Sequence, residues 1–263
     1  FMTLYKKGYI YRGHRIINWD VQAKTALSNI EVEHEETQGK LYHMRYPFTK
    51  GDGYLVIATT RPETMFADQA LMVHPDDKRF SDVIGKTVYI PGTKVKIPVI
   101  ADDYVETEFG TGVVKVTPAH DPNDFEVGQR HNLDMPLCMN EDGTMNDMAY
   151  QYKGLERFEC RKVLIKNLAQ LDLLDKVEDY TNNLGYSERT GVVVEPRLSL
   201  QWFVKMDDLS KKALEKSTAE FVPSRFKKIF VNWMTDTHDW CISRQLWWGH
   251  RIPAWYKGDE IKV

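Results

Sequence analysis

Between residues 41 and 117 the chain alternates short β-branched and aromatic runs with Gly and Pro turns, a punctuation that demands a many-stranded fold. Five runs have strand length, 41–46, 54–60, 87–90, 95–100 and 113–117, separated by turns such as Pro91-Gly92 and Gly110-Thr111-Gly112. Helical segments are expected at about 63–73, 122–131 and 155–171. The last carries Leu155, Phe158, Val163, Leu164, Leu168 and Leu171, a stripe that reads as core. The expected fold class is therefore α/β, a barrel-like domain of short strands with peripheral helices, plus flanking helical and connector segments.

Three regions are expected. Residues 1–40, with a short amphipathic helix, an extended piece at 9–19 and an acidic connection at 31–36, form a connector segment. Residues 41–190 form the stranded domain. After Pro196 the pattern turns helical again, so 191–263 read as a return connector, strongly charged at 207–216 and apolar at 226–235. Lys211, Lys212, Arg225, Lys227 and Lys228 read as a solvated face.

With 263 residues, 42% hydrophobic and 28% charged, the composition is that of a globular protein. A net charge of -3 argues against a surface that binds nucleic acid throughout and restricts any RNA contact to a local groove. Cys138, Cys160 and Cys241 are isolated and never spaced C-x-x-C, which signals neither a disulfide framework nor a cysteine zinc site and fits a reducing, cytoplasmic setting. No run approaches the roughly 20 apolar residues of a membrane span, and no membrane partner is expected.

Two places carry chemistry. The strand ending at Thr59 and Thr60 runs into Arg61-Pro62-Glu63, where Thr60-x-x-Glu63 matches a capping box with proline in the first turn. Such a helix start also aims free N–H groups and donors from Thr59, Thr60 and Arg61 at an ester or phosphate oxygen. Further on, Lys115 and Thr117 leave one face of a strand, and Pro118 ends the ladder. Asp121-Pro122-Asn123-Asp124 then starts a helix with Asp121 at the cap. Capping alone accounts for both aspartates. For Asp121 alone capping is the favoured reading, but a cap spends one carboxylate oxygen and leaves the other, so two carboxylates three apart beside Lys115 can also form a pocket for an ammonium and a hydroxyl.

Taken together, Thr59-Thr60-Arg61-Pro62-Glu63-Thr64, Lys115-Val116-Thr117-Pro118-Ala119-His120-Asp121-Pro122-Asn123-Asp124 and Cys241-Ile242-Ser243-Arg244-Gln245-Leu246-Trp247-Trp248-Gly249-His250 resemble the editing insertion and resumed catalytic domain of class I aminoacyl-tRNA synthetases. The valyl enzymes fit best, and Glu63 discriminates: isoleucyl enzymes have Arg-Pro-Trp-Thr and leucyl enzymes Arg-Pro-Asp-Thr at this place. The resemblance implies a piece of a larger enzyme whose editing domain hydrolyses the threonyl ester on valine tRNA. It implies Lys115, Asp121 and Asp124 as catalytic residues. It implies Thr59, Thr60, Arg61, Glu63, Phe109, Thr117, Asp121 and Asp124 as substrate-binding residues, with Asp124 facing the substrate hydroxyl and Asp121 its α-ammonium.

The implied partners are the aminoacylated 3′ end of tRNA and the rest of the synthetase chain, with the protein a monomer. No H-x-G-H signature and no Lys-Met-Ser-Lys-Ser loop occurs, so no ATP chemistry is expected, and His250 is not that motif. Family members often carry Asn-Trp-Cys-x-x-Cys where this chain has Asn18-Trp19-Asp20-Val21-Gln22-Ala23, so neither zinc nor any cofactor is expected.

The rival readings are an isoleucyl- or leucyl-type editing domain, a non-catalytic module for the tRNA 3′ end, and a metal-dependent phosphohydrolase built on His120-Asp121. The last lacks a comparable pairing around His74, His131 or His238.

Overall fold

The computed structural model describes residues 1–108, 110–258 and 260–263. A one-turn helix α1 (Met2–Lys6) leads into a long strand β1 (Ile10–Asp20), a short β2 (Thr25–Leu27) and the 16-residue β3 (Val32–Pro47). Strands β4 (Tyr54–Thr59), β5 (Ala70–Val73), β6 (Thr87–Tyr89), β7 (Lys96–Ala101) and β8 (Val113–Val116) follow. Helix α2 (Pro122–Arg130), helix α3 (Arg157–Gln170), and strands β9 (Leu174–Ser187) and β10 (Glu195–Val204) complete the middle of the chain. Helices α4 (Asp207–Lys216) and α5 (Arg225–Thr235) and the short strands β11 (Trp240–Cys241), β12 (Trp255–Lys257) and β13 (Glu260–Lys262) end it.

The α/β class holds, but no closed barrel forms among the described residues. The strands make open sheets in the orders β4-β3-β9, β6-β7-β5-β8, β11-β10-β1-β2 and β12-β13. The first two sheets share one apolar core that includes Met44, Ile57, Leu71, Val99, Leu164 and Leu168.

Four local expectations are corrected. The helix expected at 63–73 is a 3-10 turn, Pro62–Ala67, followed by β5. Ala70 to Val73 are all buried between β7 and β8, and a continuous apolar run flanked on both edges by strands is more favourable extended than helical. The acidic connection at 31–36 lies mostly in β3, which pairs with β9 as an outer ribbon from Val32 opposite Ser187 onward. Solvent reaches most side chains of that ribbon, so charge does not oppose the strand, and Lys40 closes on Asp179 across it.

The chain beyond Pro196 is not yet helical. Strand β10 pairs with β1 over ten positions, from Trp19 opposite Glu195 to Ile10 opposite Val204, and this ladder brings the segments before and after the central sheets together. On α3, Leu164 and Leu168 are buried as expected, whereas Val163 and, just past the helix, Leu171 lie exposed.

Candidate functional site

The end of β4 and the end of β8 carry the predicted residues to one place. Thr59 Oγ1 accepts the Arg61 backbone N–H at 3.0 Å, turning the chain into the 3-10 segment. The expected capping box is absent: Arg61 occupies the cap position with no side-chain bond, and Glu63 points inward instead. Fully buried Glu63 accepts two bonds from Arg161 of α3, at 2.8 and 2.7 Å, a fork that locks the turn onto the helix.

Arg61 donates to the His120 carbonyl at 2.9 Å and to Glu195 at the start of β10. Glu195 also receives Arg157 at 2.9 Å and faces His120 Nδ1 at 3.2 Å. Burial would raise the Glu195 carboxyl, but Arg61, His120 and Arg157 outweigh it and hold the group well below the usual carboxylate range. His120 is spent inside this cluster. Its Nε2 accepts the Cys138 backbone N–H at 3.1 Å while Nδ1 faces Glu195, and burial lowers its pKa, giving a neutral imidazole. A metal-ligand role for His120-Asp121 is therefore disfavoured by geometry, because neither ring nitrogen is free.

Behind the turn, Lys115 of β8 reaches Asp68 at 3.1 Å, Thr64 Oγ1 at 2.9 Å and Thr117 Oγ1. Thr117 is almost wholly buried. Its hydroxyl donates to Asp68 at 2.6 Å and its backbone N–H donates to Asp124 Oδ2 at 2.8 Å. Asp121 caps α2 as expected, its Oδ1 accepting from the backbone of Asn123 at 2.8 Å and Asp124 at 3.1 Å, while no cap bond uses Oδ2. Gly128 keeps α2 close to the strand end, since a Cβ there would lie 2.8 Å from Pro118 Cβ.

Asp124 is buried beside Asp121, Lys115 and Asp68. Burial first, then the Asp121 charge, pushes its carboxyl up to about 7, although Lys115 and the Thr117 N–H pull the other way. Tyr104, half-exposed on the loop after β7, also feels both aspartates.

The structure thus divides the predicted residues. Thr60, Arg61, Glu63 and Asp121 line a cavity of about 420 Å³ closed by α3, β9 and the start of β10. Lys115, Thr117 and Asp124 are not among its lining residues but adjoin it through Asp121, whose cap bond reaches the Asp124 backbone. Phe109 lies outside the described residues. A second cavity, of about 370 Å³ and bordered by Ile16, Trp233 and Trp240, contains none of the predicted residues.

Asp68, Arg161, Glu195 and Arg157 were not expected at the site. None lies in a periodic pattern or motif that sequence reading could have used.

The family model for class I tRNA synthetases (I, L, M and V) matches residues 1–263. The chain belongs to the class I tRNA synthetases. This synthetase chain is 60% identical over 267 aligned residues to the valine--tRNA ligase of Anoxybacillus flavithermus, covering 100% of its own length and 30% of the relative. It is 58% identical over 260 residues to that of Bacillus subtilis, covering 97% of its own length and 30% of the relative. It therefore spans about 30% of the length of the curated relatives it matches. A crystal structure of a ternary complex of Agrobacterium radiobacter K84 agnB2 LeuRS, tRNA and LeuAMS aligns with TM-score 0.42 at 18% identity, covering 69% of this chain and 31% of that one.

At the position where zinc ligands were expected to be replaced, Asp20 is fully buried. Its carboxylate accepts from Gln22 N at 2.9 Å, Ala23 N at 2.8 Å, Ser187 Oγ at 2.6 Å and Thr190 Oγ1 at 2.7 Å. Burial opposes its ionisation, but these four donors outweigh it and lower its pKa. The three cysteines are free and buried. Among the described residues no helix is long and apolar enough to cross a membrane.

Proposed function

We propose that this chain carries the post-transfer editing site of a valine--tRNA ligase, hydrolysing the threonyl ester on valine tRNA. The observation that carries the reading is the Asp121-Asp124 pair: two carboxylates three residues apart at a helix start, one with an oxygen free of its cap and the other poised near neutrality beside Lys115. The editing unit is proposed to be 41–190, with 1–40 and 191–263 as connector and resumed catalytic segments. Its partner is the aminoacylated 3′ end of a tRNA.

The chemistry follows from what a hydroxyl costs. An apolar synthetic site rejects an isostere with an added hydroxyl by only about a hundredfold, valyl-tRNA synthetase being the known case from which that figure comes. A second, polar site reverses the preference. The threonyl hydroxyl gives Asp124 a charge-assisted bond, whereas a valyl side chain leaves the carboxylate with the Thr117 N–H alone. Asp121 takes the α-ammonium with its free oxygen, and Arg61 and Thr60 hold the terminal ribose and ester from the cavity side. No side chain here is built as a nucleophile, since the nearest thiol, Cys138, is raised far above its ordinary range by burial. Rate therefore comes from placing water and ester and from the fixed positive charge of Lys115.

The test is hydrolysis of threonyl- and valyl-esters of valine tRNA by the wild-type chain and by Asp121→Ala. Threonyl cleavage should exceed valyl, and Asp121→Ala should depress both together. Equal loss-free cleavage of both esters by the variant would remove Asp121 from ammonium binding.

A further inference from the structure

The polar cluster of Lys115, Thr117 and Thr64 is arranged around a residue with no assigned role. Asp68, fully buried at the end of the 3-10 turn, accepts three bonds. Its Oδ1 takes Lys115 Nζ at 3.1 Å and Thr117 Oγ1 at 2.6 Å, and Oδ2 takes the Tyr46 hydroxyl at 2.6 Å. Tyr46 comes from β3, Lys115 from β8 with Thr117 just past its end, and Thr64 from the turn itself, so three separate elements converge on one carboxylate and its cation.

The consequence for Lys115 is specific. An ammonium has three N–H groups. Here they go to Asp68, Thr64 Oγ1 and Thr117 Oγ1. Lys115 is among the least exposed lysines, with 10% of its side chain accessible, and it makes no ion pair with Asp124 or Asp121 among the described residues. A buried lysine beside three carboxylates has a choice of partner, and the two on α2 are the ones a substrate would need free.

We propose that Asp68 is the positioning residue of this site: it anchors the Lys115 ammonium on the floor made by Thr64 and Thr117, so that the lysine acts on Asp124 and the ester as a fixed charge instead of pairing with the aspartates of α2. The proposal rests on the editing reading for its catalytic consequence but not for its geometry. Without Asp68 the ammonium swings to Asp124, its remaining close anion alongside Asp121, and occupies the oxygen meant for the substrate hydroxyl. The charged and titratable groups facing Asp124 are Asp121 on its own helix, Lys115 from β8, Asp68 from the turn and Tyr104 from the loop after β7.

The experiment compares Asp68→Asn, Lys115→Met and the double variant, by crystal structure and by steady-state hydrolysis of threonyl-tRNA specific for valine. Expected for Asp68→Asn are Lys115 Nζ within hydrogen-bond reach of Asp124 and a fall in kcat on the order of tenfold with little change in KM. The double variant should be no slower than Lys115→Met alone, because both changes disable one device.

Lys115 remaining on Thr64 and Thr117 with kcat within about twofold of wild type would overturn the proposal, as would losses that multiply in the double variant. Should Asp68→Asn not fold, Tyr46→Phe weakens the same anchor while keeping both charges. Its smaller kcat loss must likewise vanish in the Lys115→Met background, and persistence of that loss there would overturn the assignment. A wild-type chain that hydrolyses neither ester would sink the editing reading, while the variant's crystal structure would still decide where Asp68 holds Lys115.

Discussion

Two buried aspartates in this chain have opposite properties. Asp20, the last residue of β1, accepts four hydrogen bonds and is pulled below the ordinary carboxylate range. Asp124, at the start of α2, accepts the Thr117 N–H, stands beside two like charges and is pushed up to about 7. Burial is common to both, so burial does not distinguish them. The difference lies in what surrounds the charge. A carboxylate saturated with donors is a structural clamp, tying the connector strand to the end of β9. One left short of donors beside like charges is poised to take a proton or a ligand.

The largest expected effect separates the two in function. Asp124→Ala should lower threonyl-ester hydrolysis by on the order of a hundredfold and narrow the threonyl-to-valyl ratio, while Asp20→Ala leaves the rate per folded molecule unchanged. Deacylation assays normalised to folded protein check this. A loss of specific activity in Asp20→Ala matching that of Asp124→Ala would erase the distinction.

Stability should show the reverse order. Asp20→Ala strands the Ser187 and Thr190 hydroxyls and two turn N–H groups, a cost of about 3 kcal/mol. Denaturant titration of the two variants reads it directly. Because the folded pKa of Asp20 is lowered, its contribution is present above the unfolded value and is lost as pH falls through the folded one. The stability gap between wild type and Asp20→Ala should therefore begin to narrow as the pH falls below about 4.

A smaller effect, with opposite sign, belongs to Asp124. Its folded pKa lies above the unfolded one, so the native state binds more protons than the unfolded chain between about pH 4 and pH 7, and this group's contribution to stability falls as pH rises through that window. Asp124→Asn keeps an acceptor for the Thr117 N–H and carries no charge. It should melt a few degrees above wild type at pH 8 and lose that advantage near pH 4. Calorimetry at the two pH values would show it, and a variant less stable than wild type at pH 8 would mean that the Asp124 charge is better compensated than its neighbours indicate.

Much of this was legible in the sequence because the motifs are local. Asp121 as a cap, Lys115 and Thr117 on one side of the chain, and the strand expected at 54–60 depend on local spacing, and the structure follows them, with β4 ending at Thr59 and Thr117 lying one residue past β8. What was not legible depends on distant pairing. Residues 70–73 form a strand because β7 and β8 flank them, and 195–204 do so because β1 is their partner, facts absent from either segment alone. Asp68, Glu195 and Arg161 escaped for the same reason: each meets its partners across 22 or more residues, as in Glu63 with Arg161 across 98. The barrel expectation failed because short strands specify many edges without specifying closure.

The central claim is that this pocket selects for a hydroxyl. Its most direct test is the ratio of kcat/KM for threonyl- and valyl-esters of the same valine tRNA, measured with the purified chain from pH 5.5 to 8.5. The ratio should favour threonine and rise as the pH passes through about 7, where Asp124 ionises in the free protein. A ratio near one at every pH, or one that favours valine, would contradict the account.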